Sequence, residues 1–590
     1  MNGKFYRFDS FLLDTQTKQL FYKNKFVNLS YKSFDILLYL VQNQGRIVTK
    51  EELFQTVWTD SFVEENNLPV HVSALRRVLG EKRGESRFIK TVSGRGYSFI
   101  ADVEEIDKLP STLTKKGASG LEDELFNTSN SIAVLPFTSE NKTADFEYLA
   151  GGITQSLIDS LSQYPKLKVM AYTAVKNYRK SELDLQEIGF QLGVDKLLFG
   201  SLAEYKNNLE ISVELINAAD KSYLWGTQYN CQFADVFTVK REISLVIAEK
   251  LKLRLDESDK SNPAKLQNPD SDAYKFYLKG NFIMDDFPSH KDRRKRLSSA
   301  LSLFQQAIKK DPQFAPAYAA AGRVYFFLFI NNFISRVEAL TECRTALQLA
   351  LNLNPRLSEA FVLEGMLQIF LEFDFEKAED FFAKAIELNP NNAYAYHMKS
   401  LLYVVLGKFD EAIFLQNKAI QLDPTSTAYN CGLINRFYFT KNYNKAIVQA
   451  EETIELDERS GPAYLVLALA YAQLGLFDEA VKYSQKAVDN SPTEEMLLAQ
   501  SYIYAVAGDE LKARDILSRI LAEQNFPKNI YLLVALVYDA LGEIDRALDY
   551  AEKGFEEKAI DVYMMEIEPR FSRLRKQPRF ASLMQKFKER

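Results

Sequence analysis

The sequence predicts a multidomain protein with three successive folds: an α+β domain, an α/β domain and an all-α helical repeat array. At 590 residues the chain is about four times as long as a typical domain of ~150 residues. Two polar stretches rich in Pro, Ser, Asp or Lys interrupt it, and a 34-residue period fills its second half. The expected segments are domain 1–105, linker 106–130, domain 131–255, linker 256–269, and repeats with a C-terminal cap over 270–590.

The composition is that of an ordinary globular protein, with 47% hydrophobic and 26% charged residues. This excludes fibrous proteins and long disordered chains. The longest apolar stretch, residues 463–477, contains Gln473 and Gly475 and is too short and interrupted to cross a bilayer. The N-terminus shows no apolar signal segment. We therefore expect a cytoplasmic protein that does not associate with membranes.

Charge is divided sharply within the first domain. Residues 51–65 contain five acidic and no basic residues, whereas residues 66–97 contain seven basic and two acidic residues, a net +5. Residues 66–79 predict a helix whose core stripe is Leu68, Val72, Leu75 and Leu79. The stripe places Asn67, His71, Ala74 and Arg77 near the opposite face, with Ser73 and Arg76 on its flanks. Residues 88–100 then predict a hairpin with a basic tip at 93–96.

A helix followed by a basic hairpin is the arrangement with which a winged helix-turn-helix binds DNA. Four motifs add detail: Leu29-Ser-Tyr-Lys-Ser-Phe-Asp-Ile-Leu-Leu38, Val57-Trp58, residues 67–79 and Val92-Ser-Gly-Arg-Gly-Tyr-Ser-Phe99. Together they resemble the OmpR/PhoB-type winged-helix family of bacterial transcription regulators, over residues 4–103. The resemblance implies a four-stranded N-terminal platform, three helices and a C-terminal wing. Because the winged helix begins near Lys4, we expect no receiver domain before it.

The resemblance also implies which residues bind DNA. Arg76 would contact DNA from the recognition helix, Arg77 and Lys90 would neutralise phosphates, and Arg95 would probe the minor groove or its rim. Ser73 and Ala74 stand where the family often has long polar side chains, so selectivity would depend on His71, Arg76 and DNA shape. His71 could equally be a helix-surface or phosphate-contacting residue. The expected DNA-binding residues are Asn67, His71, Ser73, Ala74, Arg76, Arg77, Lys90, Thr91, Ser93, Arg95 and Tyr97.

The loop between the second and third helices carries the acidic residues. In the family that this domain resembles, this loop can touch RNA polymerase. The expected polymerase contacts are Trp58, Asp60, Glu64 and Glu65. For Trp58, packing in the core is the competing interpretation.

The middle segment alternates strand-like and helical patterns, as in α/β domains. Its motifs include Ile132-Ala-Val-Leu-Pro-Phe137, Tyr148-Leu-Ala-Gly-Gly-Ile-Thr154, Gly200-Ser-Leu202 and Leu224-Trp-Gly226. They are similar to the α/β domain that precedes tetratricopeptide repeats in many bacterial regulators and cyclase-associated proteins, and they resemble the N-terminal domain of TolB. Gly151 and Gly152 precede a predicted helix, where they could bind an anion or form a tight turn.

Small residues recur through the second half, with spacings of 34, 34, 34, 33 and 34. They are Ala378, Ala412, Ala446, Ala480, Ala513 and Ala547. Gly407, Gly475 and Gly542 each lie five residues before one of these alanines, where a tight turn needs glycine. The pattern resembles the tetratricopeptide repeat, a helix-turn-helix unit of about 34 residues. About eight units are expected over residues 270–555.

These features favour a one-component transcription regulator that binds promoter DNA through the winged helix and protein or peptide partners through the repeats. The alternative is a protein-interaction scaffold with weak or vestigial DNA binding. RNA polymerase and a second copy of the chain are further candidate partners. Three scattered histidines and three scattered cysteines form no metal-site or catalytic pattern, so we expect no enzyme activity, metal or cofactor.

Overall fold

The structure is a computed structural model of the chain. It describes residues 5–15, 19–22, 25–27, 29, 31–57, 67–81, 85–92, 94–106, 130–139, 144–164, 166–180, 184–205, 208–232, 235–251, 253, 269–286, 292–522, 530–557 and 562–588. An α+β domain, a mixed-sheet domain and a helical solenoid follow one another, which confirms the predicted fold class. Both expected linkers fall mostly outside the described residues, so the domain boundaries stay predictions.

The N-terminal domain begins with an antiparallel sheet. Its strands are β1 (Phe5–Phe8), β2 (Phe11–Asp14), β3 (Gln19–Tyr22) and β4 (Lys25–Val27), joined at the β1 edge by β8 (Glu104–Ile106). The sheet order is β4-β3-β2-β1-β8, so the expected four-stranded platform gains a fifth strand from the end of the domain. The sequence does not predict this strand, because Glu104-Glu105 gives it no apolar alternation.

Three helices and a second sheet complete this domain. They are α1 (Tyr31–Gln42), β5 (Val48–Thr49), α2 (Lys50–Val57), α3 (Asn67–Val78), β6 (Ile89–Val92) and β7 (Gly96–Phe99). The predicted stripe of α3 is confirmed, since Leu68, Val72, Leu75 and Leu79 are all buried in the domain core. The predicted hairpin is β6–β7, and β5 pairs with β7 to form a three-stranded sheet.

The middle domain is a mixed sheet with helices packed against it. Its strands are β9 (Ser131–Val134), β10 (Thr138–Ser139), β11 (Lys168–Val169), β12 (Lys196–Tyr205), β13 (Asn208–Asn217) and β14 (Tyr223–Cys231). Its helices are α4 (Ala144–Leu161), α5 (Tyr172–Val175), α6 (Leu185–Leu192) and α7 (Val236–Lys250), with a 3-10 turn at Lys176–Lys180 after α5. β9 runs parallel to β11 and β12, whereas β12, β13 and β14 form an antiparallel meander.

Gly151 and Gly152 lie inside α4, so both expectations for them, an anion site before a helix and a tight turn, were wrong. A helical interior leaves no unpaired amide for an anion. Gly152 is needed for packing instead, because a Cβ atom there would overlap with Leu278 of the first repeat helix.

The solenoid contains eight described helix pairs between residues 271 and 556. They are α8 (Ser271–Asp286) with α9 (Arg293–Lys310), α10 (Ala315–Ile330) with α11 (Arg336–Leu353), α12 (Ser358–Leu367) with α13 (Phe375–Leu388), α14 (Ala393–Val405) with α15 (Phe409–Leu422), α16 (Thr427–Phe439) with α17 (Tyr443–Leu456), α18 (Gly461–Gln473) with α19 (Phe477–Asn490), α20 (Glu494–Val506) with α21 (Glu510–Leu521), and α22 (Tyr531–Ala540) with α23 (Ile544–Glu556). A π turn, Gln368–Glu372, extends α12. Short 3-10 turns at Val562–Met564, Pro569–Ser572 and Leu574–Lys576 lead into α24 (Pro578–Lys588).

The period reflects close packing within and between the helix pairs. The six recurring alanines are all 0% exposed, so a larger side chain there would force neighbouring helices apart. α24 packs against the last repeats, since Phe580 and Leu583 join the same core, and its role as a cap stays a prediction.

The turns between paired helices use left-handed glycines, as the sequence predicts. Gly407, Gly475 and Gly542 have φ of +71°, +75° and +83°, and Gly508 is a fourth, with φ of +89°. A Cβ atom at Gly407 would meet nothing within 4 Å. Only the backbone conformation therefore disfavours another residue there.

Replacing Gly407 by alanine is expected to destabilise the solenoid by about 1 kcal/mol, which is the cost of a left-handed non-glycine residue. Asparagine tolerates this conformation better, so Gly407→Asn should lose less. Urea unfolding followed by circular dichroism measures both changes. Equal losses for the two variants would contradict this account, because they would show that something other than φ sets the cost.

The middle domain and the repeats share one apolar core. Leu278, Phe314 and Ala317 of the first two helix pairs belong to the same buried cluster as Ile153 and Leu157 of α4. The winged helix differs, since the members of its core cluster all lie within residues 6–103. The N-terminal domain therefore has a hydrophobic core of its own.

Candidate nucleic-acid interface

His71 lies on the flank of the core stripe of α3 and is 0% exposed. Its Nδ1 atom is 2.8 Å from the Ser33 hydroxyl and 3.2 Å from a Glu187 carboxylate oxygen of the middle domain. The expectation that it faces away from the core was wrong. At about 100° per residue, position 71 is only about 60° from Leu68 rather than opposite to it.

Arg76 is also buried, at 6% exposure. Its guanidinium donates to the Ile89 carbonyl at 3.0 Å and to the Thr91 hydroxyl at 2.7 Å, which joins α3 to the wing. It also lies 3.4 Å from Glu81 and 3.2 Å from Glu452 of α17. In this arrangement Arg76 links secondary-structure elements and is not accessible to DNA.

The wing carries both buried and exposed side chains, and Thr91 and Tyr97 face each other as a cross-strand pair. Thr91 and Tyr97 are buried, and the Tyr97 hydroxyl donates to Glu455 of α17 at 2.9 Å. Lys90 and Arg95 are exposed. Both cations are therefore placed where they can meet phosphates.

Arg77 reaches the middle domain although the residue as a whole stays exposed. Its guanidinium donates to the carbonyls of Phe190 at 2.7 Å and Gln191 at 3.2 Å, at the C-terminal end of α6. The negative end of a helix dipole favours a cation there. Desolvation of the guanidinium nevertheless lowers the pKa of Arg77 to about 10.

Gly193 makes this contact possible. It ends α6 in the left-handed conformation, with φ of +64°, and a Cβ atom there would lie 2.8 Å from Cζ of Arg77. Glycine is therefore required twice at this position, by the backbone and by the neighbouring guanidinium.

α17 contributes an acidic surface that the sequence analysis missed. Glu451, Glu452 and Glu455 lie on one side of α17, and Glu458 follows two residues after the helix ends at Leu456. Glu458 lies 3.2 Å from Lys50, which adds a contact to those of Glu452 and Glu455. Burial, then the charge of Glu455, raise the pKa of Glu451 to about 7. We call these four residues the acidic face of α17.

The remaining expected residues are placed as follows. Ala74 is buried and Ser73 is partly buried, and Asn67 begins α3. Ser93 lies outside the described residues, as do the expected polymerase contacts Trp58, Asp60, Glu64 and Glu65. Their DNA or polymerase contacts stay predictions.

A family model described as "Transcriptional regulatory protein, C terminal" matches residues 23–99. Tetratricopeptide repeat models match residues 359–392, 381–414 and 461–494. The chain joins an OmpR/PhoB-type winged helix to tetratricopeptide repeats. Residues 128–250 match the second domain of HilA/YgeH-like transcriptional regulators. The likeness of the middle domain to the N-terminal domain of TolB stays a prediction.

Known proteins are similar to this chain over segments of different lengths. The transcriptional regulator HilA of Salmonella typhi is 24% identical over 553 residues, which cover 92% of this chain and 93% of HilA. Regulatory protein VanRc of Enterococcus gallinarum is 38% identical over 93 residues, 16% of this chain and 40% of VanRc. A Rhizobium meliloti protein that its name assigns provisionally to the adenylate cyclases is 27% identical over 203 residues, 34% of this chain and 33% of that protein.

Within the described ranges, no group of three or more His, Cys, Asp or Glu residues could hold a metal ion. No helix described there is long and apolar enough to cross a membrane.

Proposed function

We propose that the chain is a one-component transcription regulator of the cytoplasm, which binds promoter DNA through α3 and the β6–β7 wing. The observation that carries this proposal is the wing, where Lys90 on β6 and Arg95 at the tip stay exposed, within the residues that the regulatory-protein family model matches. The names of HilA and VanRc support the same function. The repeats would bind a protein or peptide.

Two finer features belong to this proposal. The chain would bind repeated half-sites as a homodimer, since two half-sites give a small DNA-binding domain enough sequence specificity. The loop before α3 would contact RNA polymerase through its acidic residues. No enzyme activity is part of the proposal, because the shared segment with the cyclase-named relative covers only a third of either chain.

The test is retention of fragmented genomic DNA by the full chain and by residues 1–106, with sequencing of the retained fragments. The shorter piece is chosen because the winged helix has its own core. We expect both to enrich one short repeated motif, with retention that weakens steeply between 50 and 200 mM salt. Absence of enrichment by both, even at low salt, would contradict the regulator and favour a protein-interaction scaffold.

A further inference from the structure

The winged helix is covered by two other domains on the surface that the proposed function assigns to DNA. α6 of the middle domain holds Arg77 and surrounds His71 with Glu187 and Gln191. α17 of the fifth helix pair covers the wing at Tyr97. We call this arrangement, with α3 and the wing against α6 and α17, the closed arrangement.

The acidic face of α17 meets the winged helix at two of the residues that are expected to bind DNA, Arg76 and Tyr97. Glu452 pairs with Arg76 at 3.2 Å, and Glu455 accepts a hydrogen bond from Tyr97. On the edge of this contact, Glu458 pairs with Lys50 and Glu85 pairs with Lys445 at 3.0 Å. Carboxylates and phosphates present similar oxygen acceptors to arginine, so the repeats and DNA compete for the same side chains.

The closed arrangement and the binding of α3 to DNA exclude each other for steric reasons. An α-helix with its side chains is about 10–12 Å across, which nearly fills a major groove about 12 Å wide. α3 cannot enter the groove while α6 packs on one part of it and α17 on another. DNA binding by α3 therefore requires the winged helix to leave both domains.

The contact is built so that it can open. The winged-helix core is separate from the core that the middle domain and the repeats share. Ion pairs and hydrogen bonds, rather than a continuous apolar cluster, join the described residues of the winged helix to α6 and α17. When these buried groups are released, new hydrogen bonds to water or phosphate and recovered solvation offset much of the interaction energy that is lost.

We infer that the closed arrangement is autoinhibitory: the acidic face of α17 and the end of α6 hold the DNA-reading surface, and the chain binds DNA only after the winged helix is released. This inference rests on the proposed DNA-binding function. The middle domain and the repeats act as one body, and the winged helix is the part that moves. The fraction of open molecules then sets the apparent affinity for DNA.

The experiment compares the full chain with the full-length double variant Glu452→Gln and Glu455→Gln. The matched control is Glu387→Gln with Glu411→Gln, which makes the same charge change at exposed sites on other repeat helices. Gly193→Ala provides a second way to open the contact, from the α6 side. Affinity is measured for a duplex carrying the enriched motif or, if no motif was enriched, for a random 30-base-pair duplex at low salt. Hydrogen exchange of residues 67–78 and 89–99 reports opening without DNA.

We expect the Glu452/Glu455 variant and Gly193→Ala to bind DNA about tenfold more tightly than the unmodified chain, with faster exchange in both segments. The control should match the unmodified chain. Unchanged affinity in both variants, with exchange showing that they have opened, would overturn the inference and leave DNA binding standing. Faster exchange without DNA binding by any protein would overturn the proposed function and the inference together.

Discussion

Neutralising Lys90 and Arg95 together, as Lys90→Gln with Arg95→Gln, is expected to weaken DNA binding by about two orders of magnitude near 0.1 M salt. Each phosphate contact releases about 0.9 of a counterion, which is worth roughly tenfold in affinity at that salt concentration. Both residues are exposed in the closed arrangement and would stay exposed in an open one. The effect should therefore be visible in the full chain and in the opened variants.

The informative measurement is the dependence of affinity on salt, followed by fluorescence anisotropy of a labelled duplex. Loss of two contacts should reduce the slope of log affinity against log salt by about 2. Arg7→Gln is the matched control for each of the two single wing variants, because Arg7 belongs to the other sheet of the same domain and lies 3.7 Å from Glu104. An equal loss for Arg7→Gln would show a general effect of domain charge and would contradict a specific role for the wing.

The local features of the fold could be predicted from the sequence because short-range patterns determine them. The α3 stripe, the hairpin at 88–100 and the 34-residue period each follow from the spacing of apolar, small or turn residues. Where the sequence analysis failed locally, the cause was geometric. His71 was placed opposite the stripe although the helical angle puts it on its flank, where Ser33 and Glu187 bury it.

The closed arrangement could not be predicted, because its partners are far apart along the chain. Tyr97 and Glu455 are 358 positions apart. The 34-residue period identifies α17 as a repeat helix but does not predict what the outer residues of that helix contact. The four glutamates resemble the solvated face of any repeat helix. Only the folded chain shows that they lie against the basic half of the winged helix, whose net charge of +5 the sequence did reveal.

A second contact between domains predicts a large effect on stability. Asp423, at the end of α15, is 0% exposed and accepts a hydrogen bond from the Thr173 hydroxyl of the middle domain. Burial raises the pKa of Asp423 from 3.8 to about 6, although Thr173, Thr425 and Lys176 oppose that shift. At Asp423, the folded chain therefore binds more protons than the unfolded chain between about pH 4 and 6. The contribution of this residue to stability falls as pH rises through this window and stays reduced above it.

Asparagine at position 423 removes the buried charge and keeps an oxygen that can accept from Thr173. We expect Asp423→Asn to stabilise the chain at pH 8 by up to about 3 kcal/mol, the equivalent of two pKa units. At pH 4 it should have little effect, since the aspartate is then largely protonated in the folded state. Urea midpoints at the two pH values measure the difference.

The matched control is Asp457→Asn, one repeat later at the end of α17. Asp457 occupies the same register but is less buried, and it accepts a hydrogen bond from its own turn, at the Arg459 amide. Its substitution should therefore produce no gain at pH 8. If Asp423→Asn were neutral or destabilising at pH 8, the hydroxyls of Thr173 and Thr425 and the charge of Lys176 would be enough to stabilise the ionised carboxylate. The contact between the middle domain and the repeats would then tighten, rather than weaken, as Asp423 ionises.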